Sequence, residues 1–320
     1  MGRKAAKSFM QTASAFHALH DPFLSGILGL CFWAAGILAM AAEPPAAGKG
    51  GAEPIRITRD GFFKQRPAWS PDGKLLAFSR HRGDTIFIFL CKPDGSDERR
   101  LTDRTLPEYD AVFSPDGKRL ALSVDKISTT QGDMDVYTVD LAGKDLRPVS
   151  TTRGELSFEE SPAWSPDGKW IAYTSTRHGN QELYIATPEG KDEKRLTSDP
   201  ATDAHPSWSP DGKRIALATN RWGDMEIAVL ELDSGKLTRL TASRGLDDYP
   251  AWSPDGKHIA FTSNRDRNLE IYVADADGRN ARNVTRHAGI DNFPAWTPDG
   301  RLTWVSNRAG GFEIYVMPKH

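Results

Sequence analysis

The residues best suited to chemistry recur at one position of an internal repeat. Three residues before a repeated proline, or before Ala111 in its place, stand Lys64, Glu108, Glu159, Asp203, Asp247 and Asp291. Rotational symmetry would gather these five acids and one lysine into a ring, with Asp110, Glu160 and Asp248 beside it. Gathered carboxylates can hold a hard divalent cation, calcium or similar, through oxygen ligands. They can also receive a basic partner segment by focusing negative potential. A third reading is structural, each carboxylate accepting hydrogen bonds from backbone N–H groups and shaping its loop. The partner-binding set is Glu108, Glu159, Asp203, Asp247, Asp248 and Asp291, and it requires no cofactor. His205 and His287 fall near the same ring, so a metal set would be His205, His287, Asp203 and Asp291.

A second pairing repeats nearby: Arg177 with Glu182, Arg221 with Glu226, Arg265 with Glu270 and Arg308 with Glu313. The constant spacing across a turn predicts an ion pair within each turn, contributing ~0–1 kcal/mol where exposed. The sequence holds no G-x-S-x-G elbow, no H-E-x-x-H and no Walker loop, so nucleophilic, zinc-protease and nucleotide chemistry have no carrier.

The elements that must position these groups are legible in the spacing. The phrase S/T-P-D-G begins at Ser70, Ser114, Ser165, Ser209, Ser253 and Thr297, at intervals of 44, 51, 44, 44 and 44 residues. A sustained period of this length marks a solenoid or propeller. Within each unit, runs such as "HIAFTS" and "EIYVAD" alternate with period two and carry β-branched and aromatic residues, the strand signal. Each unit resolves into four strands, the length of a propeller blade. Five copies of the fourth strand follow the first repeat, and the sixth, "IRIT", lies at the other end. The expected architecture is all-β: a six-bladed propeller of four-stranded blades, closed by pairing of an N-terminal strand with the C-terminal blade. Trp69, Trp164, Trp208, Trp252 and Trp296, with Phe113 as the sixth, read as packing between blades. Tight Asp-Gly turns fall on one face. The variable loops, longest in "DKISTTQGDMD" and "STTRGELSFEES" of blade 2, fall on the other, the candidate recognition face.

The repeat "PAWSPDGKHIAFTSNRDRNLEIYVADADG…RNVT" resembles that of TolB-type propellers of the bacterial Tol–Pal envelope system, over residues 55–320. Similar blades occur in prolyl-oligopeptidase-like enzymes, the tricorn protease and oligogalacturonate lyases. The resemblance implies a non-catalytic envelope propeller binding a Pal-like lipoprotein on its acid-lined face. The α/β domain that precedes the propeller in TolB is not matched here. The alternatives are a metal-dependent, glycan-acting enzyme similar to oligogalacturonate lyases, a small-ligand-binding propeller, and a purely architectural ring.

Net charge is −2 with 26% charged residues, which gives no basic field for nucleic acid. Only Cys91 of the two cysteines, Cys31 and Cys91, belongs to the folded body, so no disulfide braces it. Residues 1–42 read as a signal peptide or membrane anchor: Arg3, Lys4 and Lys7 precede an uncharged run from Pro22 to Ala42. Residues 43–54 read as a flexible linker and 55–320 as the propeller. The expected location is periplasmic or extracytoplasmic, as a secreted or tethered monomeric ring.

Overall fold

The computed structural model describes residues 53–83, 85–126, 133–150 and 156–319. The expectations for residues 1–42, most of the linker and the centres of the two long blade-2 loops lie outside the described residues. Within them, 24 strands form six four-stranded antiparallel sheets. Among the described residues no helix is long and apolar enough to cross a membrane. In each blade the first strand, such as Glu159–Trp164, is innermost and the fourth, such as Lys194–Arg195, is outermost.

The middle strands are buried on both faces, as in Ile171–Ser175 and Glu182–Ala186. A blade is therefore covered on each side by a neighbour. Six apolar clusters fill the gaps between blades. Ile171, Tyr173 and Tyr184 of blade 3 pack on Ala121 and Val136 of blade 2. Trp304 of blade 6 packs on Ile271 and Val273 of blade 5, with Trp296 against them. Three indoles also bond across the gap: Trp69 Nε1 donates to Thr303 Oγ1 (3.0 Å), Trp208 to the Ala163 carbonyl (3.1 Å) and Trp296 to the Ala251 carbonyl (3.0 Å). Cys91 lies buried in the cluster between blades 6 and 1, and burial pushes its thiol up to about 12.

The S-P-D-G phrase closes the hairpin between first and second strands. Ser209 Oγ donates to Asp211 Oδ1 (2.5 Å) and accepts the Arg214 N–H (3.0 Å). The glycine takes a left-handed φ of 69° at both Gly212 and Gly256, where a side chain would be strained. A Cβ there would also press Pro166 and Pro210 of the preceding blade, at 3.3 and 3.0 Å.

Closure occurs in blade 6. Ile55 and Arg56 pair with Val316 and Tyr315, so the N-terminal strand becomes that blade's fourth. Glu313, fully buried, accepts bonds from Arg56 Nη2 (2.8 Å), Thr58 Oγ1 (2.6 Å), the Gly61 N–H (2.7 Å) and Lys64 Nζ (3.0 Å). Lys64, also fully buried, bonds Asp60 as well. The one lysine in the repeated acid position thus ties the start of blade 1 to the end of blade 6.

Lys64→Met would leave Glu313 as a buried charge short of a partner, with an expected loss of ~3–5 kcal/mol in unfolding free energy. Urea denaturation checks this, and an unmoved midpoint would remove the lysine from the closure. Burial raises the Glu313 carboxyl, but its four donors outweigh that and hold it below its ordinary 4.5. Its contribution is therefore present above pH 4.5 and lost as pH falls through the lower folded value.

Candidate functional site

One transverse row of side chains crosses blades 3 to 6 at the variable-loop face. In blade 3 strand register aligns Glu159, Ser175 and Glu182; in blade 5 it aligns Asp247, Ser263 and Glu270. The inner acids Glu108, Glu159, Asp203, Asp247 and Asp291 are all 0% exposed. Each is engaged from within the ring. Glu108 accepts Thr102 Oγ1 (2.6 Å) and Glu159 accepts Ser157 Oγ (2.9 Å). Arg221 bonds Asp203 (2.5 Å), Arg265 bonds Asp247 (2.7 Å) and Arg308 bonds Asp291 (2.9 Å). Burial pushes the Glu108, Glu159 and Asp291 carboxyls above their ordinary values.

This corrects two expectations. The five inner acids do not line an open mouth: all are buried, four of them bonded by turn arginines and Glu108 by Thr102 with Arg104 beside it. The arginine and glutamate five residues apart do not pair with each other. Arg177, Arg221, Arg265 and Arg308 reach inward to the acid of the first strand. Glu182 and Glu226 reach outward, accepting Thr197 and Thr241 Oγ1 at 2.5 Å. Register explains the exchange: each glutamate sits on the third strand, one strand from the threonine that ends the fourth.

Two residues beyond Lys64 and beyond each of the five inner acids the first strand carries a β-bulge. Arg66, Asp110, Ser161, His205, Tyr249 and Phe293 occupy it, all at φ between 51° and 56°. A bulge re-aims its side chain, and here the six meet at the axis. Arg66 of blade 1 lies 5.3 Å from the Tyr249 ring of blade 5, although those blades are not neighbours. Arg66 Nε is 3.6 Å from Asp110 Oδ1, and Ser161 Oγ donates to Asp110 Oδ2 (3.3 Å). His205 Nδ1 is 2.6 Å from Asp248 Oδ1, and its ring stacks on Tyr249 at 4.1 Å. Tyr249 meets Phe293 edge-on. Glu160, beside them, is bonded by Gln181. Burial, then repulsion from Asp110, push its carboxyl up to about 7 against the pull of His205 and Arg66.

Asp248 thus belongs to the axial cluster, buried and paired. His205 lies there too, while His287 sits in the loop before blade 6, its Nδ1 accepting the Gly289 N–H (2.8 Å). Asp203 and Asp291 are held by arginines. The proposed metal set is not brought together: among the described residues no three His, Cys, Asp or Glu side chains are grouped to hold a metal ion. Of the axial set the sequence marked Asp110 and His205, while Arg66, Ser161, Tyr249 and Phe293 escaped it because a bulge shifts the inward–outward alternation by one residue. Its signal was present in the X-Pro pairs at Arg66-Pro67, Ser161-Pro162, His205-Pro206, Tyr249-Pro250 and Phe293-Pro294.

Comparison with known proteins fits this ring. The model of the TolB beta propeller domain family matches residues 127–249 and 226–320. The chain belongs to that family. The Tol-Pal system protein TolB of Anaeromyxobacter dehalogenans (strain 2CP-C) is 30% identical over 189 residues, 56% of this chain and 41% of the relative. The chain spans 41% or less of the length of each of five curated relatives it matches. The crystal structure of TolB from Acinetobacter baumannii superposes with a TM-score of 0.64 at 26% identity, covering 74% of this chain and 57% of that one. Oligogalacturonate lyase from Vibrio parahaemolyticus superposes at 0.54 with 13% identity, over 82% and 92% of the chains, a likeness of fold alone.

The raised carboxyl of Glu160 gives a signed prediction for this TolB-family ring. Its folded form holds a proton that the unfolded chain releases near 4.5, so its contribution to stability falls as pH rises from 4.5 to about 7. Glu160→Gln should gain stability relative to wild type across that interval, read by thermal melts at pH 5 and 8. A constant difference between the two proteins would refute the placement of Glu160 in the cluster.

Proposed function

We propose that the chain is a non-catalytic protein-interaction propeller of the bacterial envelope, periplasmic or tethered to the membrane. Its partner, a Pal-like lipoprotein, docks on the variable-loop face, over the axial cluster. Family membership and the relatives named as Tol-Pal system proteins support the envelope setting. The observation that carries the docking face is the position of exposed apolar side chains. Of the four large hydrophobics exposed among the described residues, Phe62 and Leu156 stand on loops of this face and Trp222 at a strand end beside them. Phe62 leads into blade 1, Leu156 into blade 3, and Trp222 ends the second strand of blade 4 at its turn to the third.

Aromatic anchors with arginine neighbours are the usual carriers of binding energy at an interface. Trp222 has the Arg239 guanidinium 5.1 Å from its ring, and Phe62 has that of Arg80 at 5.8 Å. The inner acids take no part in contact. They hold the loops in place, and the half-buried Arg66, Asp110 and His205 present mixed charge at the centre. Docking of this kind involves no covalent step.

The test is isothermal titration of the purified propeller with the soluble domain of a Pal-like lipoprotein. Trp222→Ala and Phe62→Ala should each weaken binding by about tenfold or more. Lys118→Glu, in a tight turn on the opposite face, should leave it unchanged. Loss of binding through Lys118→Glu alone would move the partner to the other face and overturn the proposal.

A further inference from the structure

Among the described residues the blades can be compared position by position, and blade 5 departs from the described copies at two exposed arginines. The turn between second and third strands needs a left-handed residue whose N–H donates three residues back. Gly179 (φ 104°), Gly223 (φ 108°) and Gly310 (φ 91°) fill it in blades 3, 4 and 6, bonding the carbonyls of Thr176, Asn220 and Asn307. In blade 5 the residue is Arg267, φ 83°, with the same bond to the Asn264 carbonyl (2.9 Å). A side chain resists this conformation where glycine adopts it freely. The second departure is Arg286, φ 45°, just after the threonine that follows the fourth strand, Thr285. Its counterparts Arg59, Asp103, Ser198 and Ala242 are not left-handed.

Both arginines sit on loops stitched into one sector. Asn264 Oδ1 accepts the Leu246 N–H (2.7 Å), joining this turn to the loop that carries Arg244. Asn268 Nδ2 donates to the His287 and Gly289 carbonyls (2.8 and 3.0 Å), joining it to the loop that carries Arg286. Arg244, Arg267 and Arg286 are exposed. Among the described residues none of the three lies within ion-pair distance, 4.0 Å, of a carboxylate. The acids nearby are otherwise engaged. Asp266 accepts Tyr272 Oη and Asn283 Nδ2, Asp247 is held by Arg265 and Ser243, and Asp224 accepts the Gly245 N–H (3.3 Å).

We infer that this blade-5 sector is an anion-recognition surface for an acidic, carboxylate-bearing segment of a protein partner. The inference deepens the protein-interaction reading and rests on it. A guanidinium presents a planar fork that matches a carboxylate with two parallel bonds. Arg286 Nε donates to the Asn283 carbonyl (3.3 Å), and among the described residues no carboxylate within 4.0 Å takes any of the three exposed forks, which leaves them open to a group from outside. Three cations interspersed with Asp266 and Asp224 are fewer than the roughly four to eight that mark an anionic lipid surface.

The experiment uses a fluorescein-labelled glutamate-rich peptide and its glutamine counterpart against the full propeller, followed by fluorescence anisotropy. Wild type should bind the glutamate peptide, more weakly as salt rises, and not the glutamine one. Arg267→Gly combined with Arg286→Gln should lower that affinity about tenfold or more. Its melting temperature should hold or rise, since glycine suits the turn. Equal binding of the peptide by variant and wild type overturns the inference. So does binding of vesicles of anionic phospholipid with no binding of the peptide. Titration with the lipoprotein domain separates the two proposals. If that domain binds variant and wild type alike, the arginine sector falls and the interaction reading stands. If it binds neither, while only wild type takes the peptide, the named partner falls and the sector stands.

Discussion

Each blade has two apolar faces and can keep neither of them wet. Strands such as Ile171–Ser175 are buried on both sides, so a blade is stable only between two others. A row of blades would always end in an uncovered face and an unpaired strand edge. Closing the row into a ring covers the end faces and gives the last blade its fourth strand, so that each sheet ends in a strand of only two or three residues. Everything else in the molecule depends on that closure. The contact that makes it is concentrated on Glu313, where strand, turn and lysine from the start of the propeller converge on one carboxylate. Burying an ion pair costs desolvation energy that attraction alone seldom recovers. Four donors to Glu313 satisfy the lone pairs that a lone lysine would leave unmet.

The same economy of buried charge shapes the variable-loop face. Five acids sit at its inner edge, yet their charge does not reach the solvent. Arginines from the turns and hydroxyls from neighbouring strands bond them, and the charge at the surface is a mixture of guanidinium and other carboxylates such as Asp60, Asp224 and Asp266. What a partner meets is set by which group of each pair is nearer to water. In the blade-5 loop sector three exposed arginines, Arg244, Arg267 and Arg286, stand beside two exposed acids, Asp224 and Asp266, and the local balance tips to positive.

The axis is governed by backbone geometry. A one-residue bulge in every first strand turns a side chain inward at a left-handed residue. Repeated six times, the bulge concentrates Arg66, Asp110, Ser161, His205, Tyr249 and Phe293 in one small volume. Such backbone costs of order 1–3 kcal/mol at each site and persists because the surrounding sheets over-determine it. The groups it gathers differ from blade to blade, whereas the row that supports them hardly changes. The scaffold is constant and the centre variable.

The sequence alone determined the number of blades, the four-strand unit, the tight turns and the closure by "IRIT". Each follows from local pattern: period-two alternation, Pro-Asp-Gly turns and a count of fourth strands. It also marked the right strand positions, since the acids do recur in register and Asp248 and His205 do stand at the centre. Only the tertiary structure decided what those residues meet. Spacing of five could not say that Arg265 would turn inward to Asp247 while Glu270 turned outward to Thr285, because those partners lie on other strands. Nor could alternation reveal the bulge, which changes the facing of one residue without changing its type. Whether a carboxylate is a docking group or a buried strut depends on the side chain above it, and that neighbour is supplied by the fold.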